Sequence, residues 1–65
     1  MNTMLFEVDT DNFTLTTMSG EVYHINMFDM ATCCCWMPTS PIKIFENDGQ
    51  LFCTNLSLNS TVRLV

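Results

Sequence analysis

The stretch IKIFENDGQLFCTNL, residues 42–56, decides the fold that this sequence predicts. Two short apolar runs flank the turn residues Asn47, Asp48 and Gly49. An Asp-Gly pair supplies the positive φ that a tight hairpin turn requires. The stretch therefore predicts an antiparallel hairpin. Since apolar side chains would lie on both of its faces, we expect the hairpin near the centre of a sheet.

The register of this hairpin has two solutions at the level of sequence. A two-residue loop pairs Phe45 with Phe52, whereas a three-residue loop with a bulge at Gly49 pairs Ile44 with Phe52. The sequence leaves both open.

The residues before the hairpin alternate between apolar runs and turn residues, which is a β pattern. We expect strands at Met4–Val8 and Phe13–Met18, joined by a turn over Asp9–Asn12, where Asp and Asn side chains can bond to nearby backbone. In the second strand the alternation places Phe13, Leu15 and Thr17 on one face.

A third strand is expected over Glu21–Phe28, after a turn at Ser19 and Gly20. Its alternation places Val22, His24, Asn26 and Phe28 on one face, and Tyr23, Ile25 and Met27 on the other. At the end of the chain, Thr61–Val65 predicts a short closing strand.

The segment Asp29–Met37 has two interpretations. Asp29 could cap a short helix that Pro38 ends. The segment could equally be a strand with Cys33 and Cys35 on one face and Cys34 on the other, and we favour the strand. In both cases the residues PTSP, 38–41, predict a turn.

These elements predict one small, mostly β domain that spans residues 1–65. It would be an antiparallel sheet of five to six short strands, or a partly open barrel of the size of SH3-like barrels. A short helix near residues 29–37 is the alternative to a strand there. The comparison with SH3-like barrels is architectural, because no sequence motif accompanies it.

Composition narrows the classes of function. Hydrophobic residues make up 48% of the chain and charged residues 14%, which excludes a disordered chain. The net charge is −5, with only Lys43 and Arg63 as cations. Two cations cannot build the footprint that a phosphate backbone requires, so we expect no direct nucleic-acid binding. Anionic membrane surfaces are disfavoured for the same reason.

The N-terminal residues MNTMLFEVDTD have neither a basic start nor a long apolar stretch. They do not resemble a signal peptide, and no window approaches the length of a membrane span. We expect the sequence to be a complete small reading frame. We expect its protein product in the cytoplasm, or in the host cytoplasm if it is viral, with its thiols reduced.

The run TCCCWMP, residues 32–38, raises the question of metal or redox chemistry. Structural zinc sites space their cysteines by two to four residues, which three adjacent cysteines do not match. A cage of Cys33, Cys35, Cys53 and His24 is conceivable, but we expect the cysteines to pack as small hydrophobic side chains. The sequence predicts no metal site and no cofactor.

Nothing in the sequence assembles a catalytic set. His24 is the only histidine, and no basic neighbour lies beside the cysteines to activate a thiol. The only glycines, Gly20 and Gly49, do not form a phosphate-binding loop. We therefore expect a protein that is not an enzyme.

The candidate binding residues form two groups. Trp36 and Met37 belong to residue types that are common on binding surfaces. Either the two form an exposed patch beside a proline-stiffened loop, or Trp36 is part of the core. Tyr23 is a further candidate binding residue. Glu7, Asp9 and Asp11 are spaced by two, so an extended strand would place them in one acidic stripe.

The sequence thus predicts a small acidic protein-binding module that attaches to a larger macromolecule and inhibits or modulates it. Its composition is typical of viral or phage accessory proteins. Binding could use a free sheet edge. The alternatives are a structural protein that assembles with itself, as in a homodimer, and a metal or redox module based on the cysteines.

Overall fold

The computed structural model describes residues 2–65, which form six strands and one short helical segment. The strands are β1 (Asn2–Asp9), β2 (Thr14–Thr17), β3 (Val22–His24), β4 (Pro41–Asn47), β5 (Gln50–Asn55) and β6 (Ser60–Leu64). Between β3 and β4, a 3₁₀ turn (Met27–Asp29) runs into the helix α1 (Met30–Cys33).

All six strands belong to one antiparallel sheet in the order β3-β2-β1-β4-β5-β6. The two ends of this order meet, because Ile25 and Leu64 form an isolated antiparallel bridge. Beside the bridge, the amide of Val65 donates to the carbonyl of His24 (2.7 Å) and that of Asn26 donates to the carbonyl of Arg63 (2.9 Å). The prediction of a small, mostly β antiparallel domain is confirmed, and the sheet curls until its edges touch.

The β4–β5 hairpin takes the two-residue loop. Asp48 and Gly49 both have positive φ, at 53° and 80°, and Phe45 pairs with Phe52. Positive φ at both central residues matches the right-handed twist of the flanking strands. On the outer face of the hairpin the two phenyl rings stack with their centroids 5.3 Å apart.

The predicted strand Glu21–Phe28 is wrong in its second half. Regular pairing with β2 ends at His24, and Met27–Asp29 forms a 3₁₀ turn. The change of direction follows from Asn26, whose side-chain oxygen accepts a hydrogen bond from the amide of Phe28 (2.9 Å). Such a local side-chain bond offers the backbone an alternative to the sheet ladder.

The favoured strand over Asp29–Met37 is also wrong, and the helical alternative is closer. Met30, Cys33 and Trp36 are buried at intervals of three residues. This spacing puts them on one side of a helical turn, whereas a strand would have alternated them. Asp29 precedes the helix as expected, but its carboxylate makes no capping bond there.

The core lies inside the curled sheet and is closed on one side by the helical segment. Its buried apolar members are Leu5, Leu15, Ile25, Met30, Cys33, Trp36, Ile42, Ile44, Cys53, Val62 and Leu64. Leu15 and Thr17 of β2 both point inward, as the alternation predicted, but Phe13, the third residue assigned to that face, precedes β2 and is exposed. No helix within residues 2–65 has the length and apolar character needed to cross a membrane.

Candidate functional site

An open apolar groove lies where the two edges of the sheet meet. We call it the closure groove; its volume is about 430 Å³, and it is lined by Asn12, Phe13, His24, Ile25, Asn26, Met27, Phe28 and Val65. Ile25 is buried, whereas Phe13, Met27, Phe28 and Val65 are exposed. Large apolar side chains from three separate parts of the chain therefore converge on one concave surface.

One wall of the closure groove is Phe13, the last residue of the β1–β2 turn. Its φ is 54°, a left-handed conformation that is unusual for a bulky side chain. The amide of Ile25 donates to the carbonyl of Phe13 (2.7 Å), which ties this backbone to the segment after β3. The fold thus fixes Phe13 in a costly conformation while 42% of the residue stays exposed.

The opposite wall is the 3₁₀ turn with Met27 and Phe28. Phe28 is 80% exposed, although the turn that carries it is well anchored. Asn26 caps the turn through its side chain, and the carboxylate of Asp29 accepts hydrogen bonds from Arg63 Nε (3.0 Å), Nη2 (3.3 Å) and backbone N (2.8 Å). Hydrogen bonds from Arg63 lower the pKa of Asp29, so this anchor persists at neutral pH.

The rim beside Phe13 is negatively charged. Asp9 Oδ1 accepts from the amides of Asp11 (2.9 Å) and Asn12 (3.2 Å), and its Oδ2 accepts from Asn12 Nδ2 (2.8 Å). The hydrogen bonds from Asn12, followed by that from Asp11, lower the pKa of Asp9. An ionised carboxylate therefore lies one hydrogen bond away from Asn12, a residue that lines the closure groove.

The acidic stripe predicted from the sequence is interrupted. β1 ends at Asp9, so Asp11 belongs to the following turn rather than to the strand. Glu7 is exposed on β1, next to an irregularity of register between Leu5 and Glu7. Asp9 and Asp11 stay together because the Asp9 side chain organises the turn, and they border the groove.

The two members of the predicted Trp36–Met37 patch lie in different environments. Trp36 is only 5% exposed and belongs to the core, whereas Met37 is 71% exposed. Trp36 is therefore a core residue and not a surface residue. Its buried indole Nε1 has no hydrogen-bond partner within residues 2–65. Trp36 cannot serve as an exposed anchor in this conformation. Its burial directs attention to the acidic residues and the sheet edges.

Tyr23 is partly buried and packs against the core from β3. Loss of solvent around its hydroxyl, followed by the charge of Glu21, raises its pKa. The structure does not bring Tyr23 into the lining of the closure groove, whose neighbouring β3 residue is His24.

The free sheet edge is short. At β6, the amide of Arg63 donates to the carboxylate of Asp29, and the carbonyl of Arg63 accepts from the amide of Asn26. The amide of Val65 donates to the carbonyl of His24. These groups would otherwise accept an added strand. The closure of the sheet therefore leaves little edge for strand addition and places an apolar surface there instead.

The four cysteines are free and fall into two pairs. Cys33 and Cys53 are buried, and loss of solvent raises their pKa values to about 11 and about 12. Cys34 and Cys35 are exposed, with their Sγ atoms 3.6 Å apart. Within residues 2–65 no group of three metal-ligating side chains comes together.

Sequence reasoning missed Phe13, Met27, Phe28 and Val65 as surface residues, because alternation assigned them to strand faces. One signal was present in the sequence. Asn12 directly precedes Phe13 and Asn26 directly precedes Met27, and Asn favours turns through local hydrogen bonds. Nothing in the sequence indicated that both turns would meet beside the end of the chain.

The comparisons with known proteins give no assignment. No family model matches the chain, no curated protein is significantly similar to it, and no solved structure matches it.

Proposed function

We propose that this chain is a small acidic protein-binding module that docks on a larger protein through the closure groove and thereby blocks or modulates that protein. The observation that carries the proposal is the convergence of Phe13, Met27, Phe28 and Val65 around a buried floor. Exposed apolar surfaces of this kind, bordered by polar groups, are typical of protein interaction sites.

The anchoring of the groove supports binding rather than incidental exposure. Phe28 stands on a turn that is capped by Asn26 and joined to β6 through Asp29 and Arg63. Because the turn is already ordered, the partner would not have to supply that part of the ordering entropy. Backbone strain of the kind present at Phe13 also tends to occur at ligand-binding positions.

The charges favour a basic partner over a second copy of the chain. Asp9 and Asp11 border the groove, while Arg63 is already bound to Asp29. The other cation, Lys43, lies on the central strand β4 with its Nζ 5.8 Å from the centroid of the Phe45 ring. A second copy carries a net charge of −5, so it would bring more acidic than basic side chains to this acidic rim. We therefore expect a partner segment with apolar anchors flanked by Lys or Arg.

The test uses an amphipathic helical peptide of leucine and lysine as the probe, with a peptide of the same pattern in leucine and glutamate for comparison. Binding to the full chain is followed by backbone amide shifts in two-dimensional NMR. We expect the lysine peptide to shift the amides of Phe13, Ile25 and Phe28, and to bind at least about tenfold more tightly than the glutamate peptide.

Phe28→Ser should weaken binding of the lysine peptide by about tenfold or more, since a central aromatic anchor commonly contributes above 1 kcal/mol. Leu58→Ser is the matched control, because Leu58 is 62% exposed but does not line the groove. Asp11→Asn should reduce the dependence of binding on salt. Shifts confined to other surfaces, or equal binding by Phe28→Ser, would contradict the proposal.

Sedimentation of the chain alone decides between a foreign partner and self-assembly. A monomer at low micromolar concentration supports the proposal. A dimer that Phe28→Ser dissociates would identify a second copy as the occupant of the groove and overturn the assignment of a basic partner.

A further inference from the structure

Cys34 and Cys35 present two thiols together on the surface. Their Sγ atoms are 3.6 Å apart, and the Cys34 thiol also lies 3.5 Å from the carbonyl oxygen of Ala31. Both residues are exposed. They follow α1 directly, away from the lining of the closure groove.

The fold explains why adjacent side chains lie on the same side here. Cys33 and Trp36, which flank the pair, are both buried, and the amide of Trp36 donates to the carbonyl of Cys33 (3.0 Å). The amide of Cys34 donates to the carbonyl of Met30 (2.9 Å). The resulting turn directs both intervening thiols outward, whereas on a strand they would have pointed to opposite faces.

A disulfide within this pair is disfavoured by geometry. Consecutive Cα atoms across a trans peptide are about 3.8 Å apart, which is shorter than the roughly 4.4–6.8 Å that disulfides span. A direct sulfur–sulfur bond would strain the peptide, but a single larger atom could bridge both sulfurs. The pair is therefore better suited to chelation than to oxidation.

We propose that Cys34 and Cys35 form a two-thiol site for trivalent arsenicals, which are soft centres that accept two sulfurs and carry a third substituent of their own. With phenylarsine oxide, two S–H bonds break and two As–S bonds form. The arsenic-bound oxygen leaves with both protons as water, and no atom changes oxidation state. Thiolate sulfur is the donor that such soft centres prefer.

Zinc is the less suitable occupant. A structural zinc ion requires four ligands, and no third metal-ligating side chain joins Cys34 and Cys35 within residues 2–65. A trivalent arsenical needs only two protein ligands. The buried pair Cys33 and Cys53 does not compete, since neither thiol is accessible in the folded chain.

The test titrates the folded chain with phenylarsine oxide and measures intact mass before and after challenge with excess 2-mercaptoethanol. We expect one phenylarsenic group per chain, retained against the monothiol and removed by dithiothreitol. Cys34→Ser and Cys35→Ser should each weaken retention by on the order of 100-fold, because two linked contacts raise the effective concentration of the second thiol.

Both serine variants alter exposed side chains, so we expect them to fold, and circular dichroism checks this. Cys53→Ala is the control that removes a buried thiol and should retain the adduct. Retention by either single serine variant at the wild-type level would overturn the proposal. Loss of the adduct from the wild type as fast as from the variants would do the same.

Discussion

The β4–β5 hairpin and the segment that precedes it, residues 27–40, achieve order in opposite ways. The hairpin forms through its own turn, since Asp48 and Gly49 adopt positive φ and set the pairing of Phe45 with Phe52. Residues 27–40 depend on distant partners instead. Asp29 binds Arg63, and the amide of Thr39 donates to the carbonyl of Leu5 (2.7 Å).

This difference separates local from tertiary causes of structure. A two-residue turn acts through backbone conformation alone, so its effect is present before the rest of the chain folds. A one-turn helix such as α1 is too short to be stable alone, and only packing against the sheet can hold it. Disrupting the contacts that hold residues 27–40 to the sheet should therefore affect those residues first.

The largest effect should come from alkaline pH, which acts on the buried thiol that each region contributes to the common core. Cys33 and Cys53 have pKa values raised to about 11 and about 12, against 9.0 for an unburied thiol. A thiol whose pKa is higher when folded stabilises the fold below pH 9, and loses that contribution as pH rises toward the folded value. By pH 11 each should lose about 2 kcal/mol, so we expect unfolding between pH 9 and pH 11.

Circular dichroism and urea titration at pH 7, 9, 10 and 11 measure this loss. Cys53→Ala should be less stable at pH 7 but show a flatter decline above pH 9. Cys34→Ser removes an exposed thiol whose pKa is also raised, chiefly by its hydrogen bond with Cys35, so it should flatten the decline less than Cys53→Ala does. An unchanged slope in Cys53→Ala would show that burial of these thiols is not the cause.

The second effect is that of Trp36→Ala, which should cost about 3–5 kcal/mol because it removes a large buried side chain. That approaches the whole stability of a domain of this size, roughly 3–5 kcal/mol, so we expect the variant to be largely unfolded at 25 °C. Met37→Ala, at the exposed neighbour, should change stability by less than about 0.5 kcal/mol. Thermal melts compare the two. Similar costs for both variants would mean that residues 27–40 do not close the core.

Most of the strands could be predicted from the sequence, because alternation and turn residues are local signals. The inward positions of Leu15 and Thr17 follow from alternation, and the predicted end of the first strand at Val8 lies one residue before the observed end of β1 at Asp9. Residues 29–37 could not be predicted in the same way. The three-residue spacing of Met30, Cys33 and Trp36 was present, but alternation of the cysteines competed with it.

The closure groove was hidden for a related reason. It forms only because the curl of the sheet brings Phe13 and Phe28 to the end of the chain at Val65. The curl depends on the pairing of Ile25 with Leu64, which are 39 positions apart (64 − 25). No local pattern encodes such a pairing. The chain's acidity was readable from composition, whereas the position of Asp9 at the groove was not.

A third and smaller effect tests whether the hairpin turn acts locally. Gly49 has a φ of 80°, and a Cβ added there would meet no atom within 4 Å. Gly49→Ala should therefore cost only the conformational penalty of the left-handed region, about 1–2 kcal/mol. Gly20→Ala, at a φ of 92° and equally free of contacts, should cost a similar amount. A much larger loss for Gly49→Ala in urea titration would show that the turn also makes tertiary contacts.

The smallest effect should be that of Asp29→Asn, and it concerns pH more than absolute stability. Hydrogen bonds from Arg63 lower the pKa of Asp29 below its ordinary value of 3.8. A carboxyl group with a depressed folded pKa stabilises the fold above its unfolded pKa, and loses that contribution as pH falls through the folded value. The urea midpoint of the wild type should therefore fall as pH drops below about 4, and that of Asp29→Asn should fall less. Asp9, whose pKa is also lowered, leaves some dependence on pH in the variant. A parallel acid profile for Asp29→Asn would indicate that Asp29 holds residues 27–40 to β6 by hydrogen-bond geometry alone, because an asparagine oxygen can still accept from the Arg63 amide.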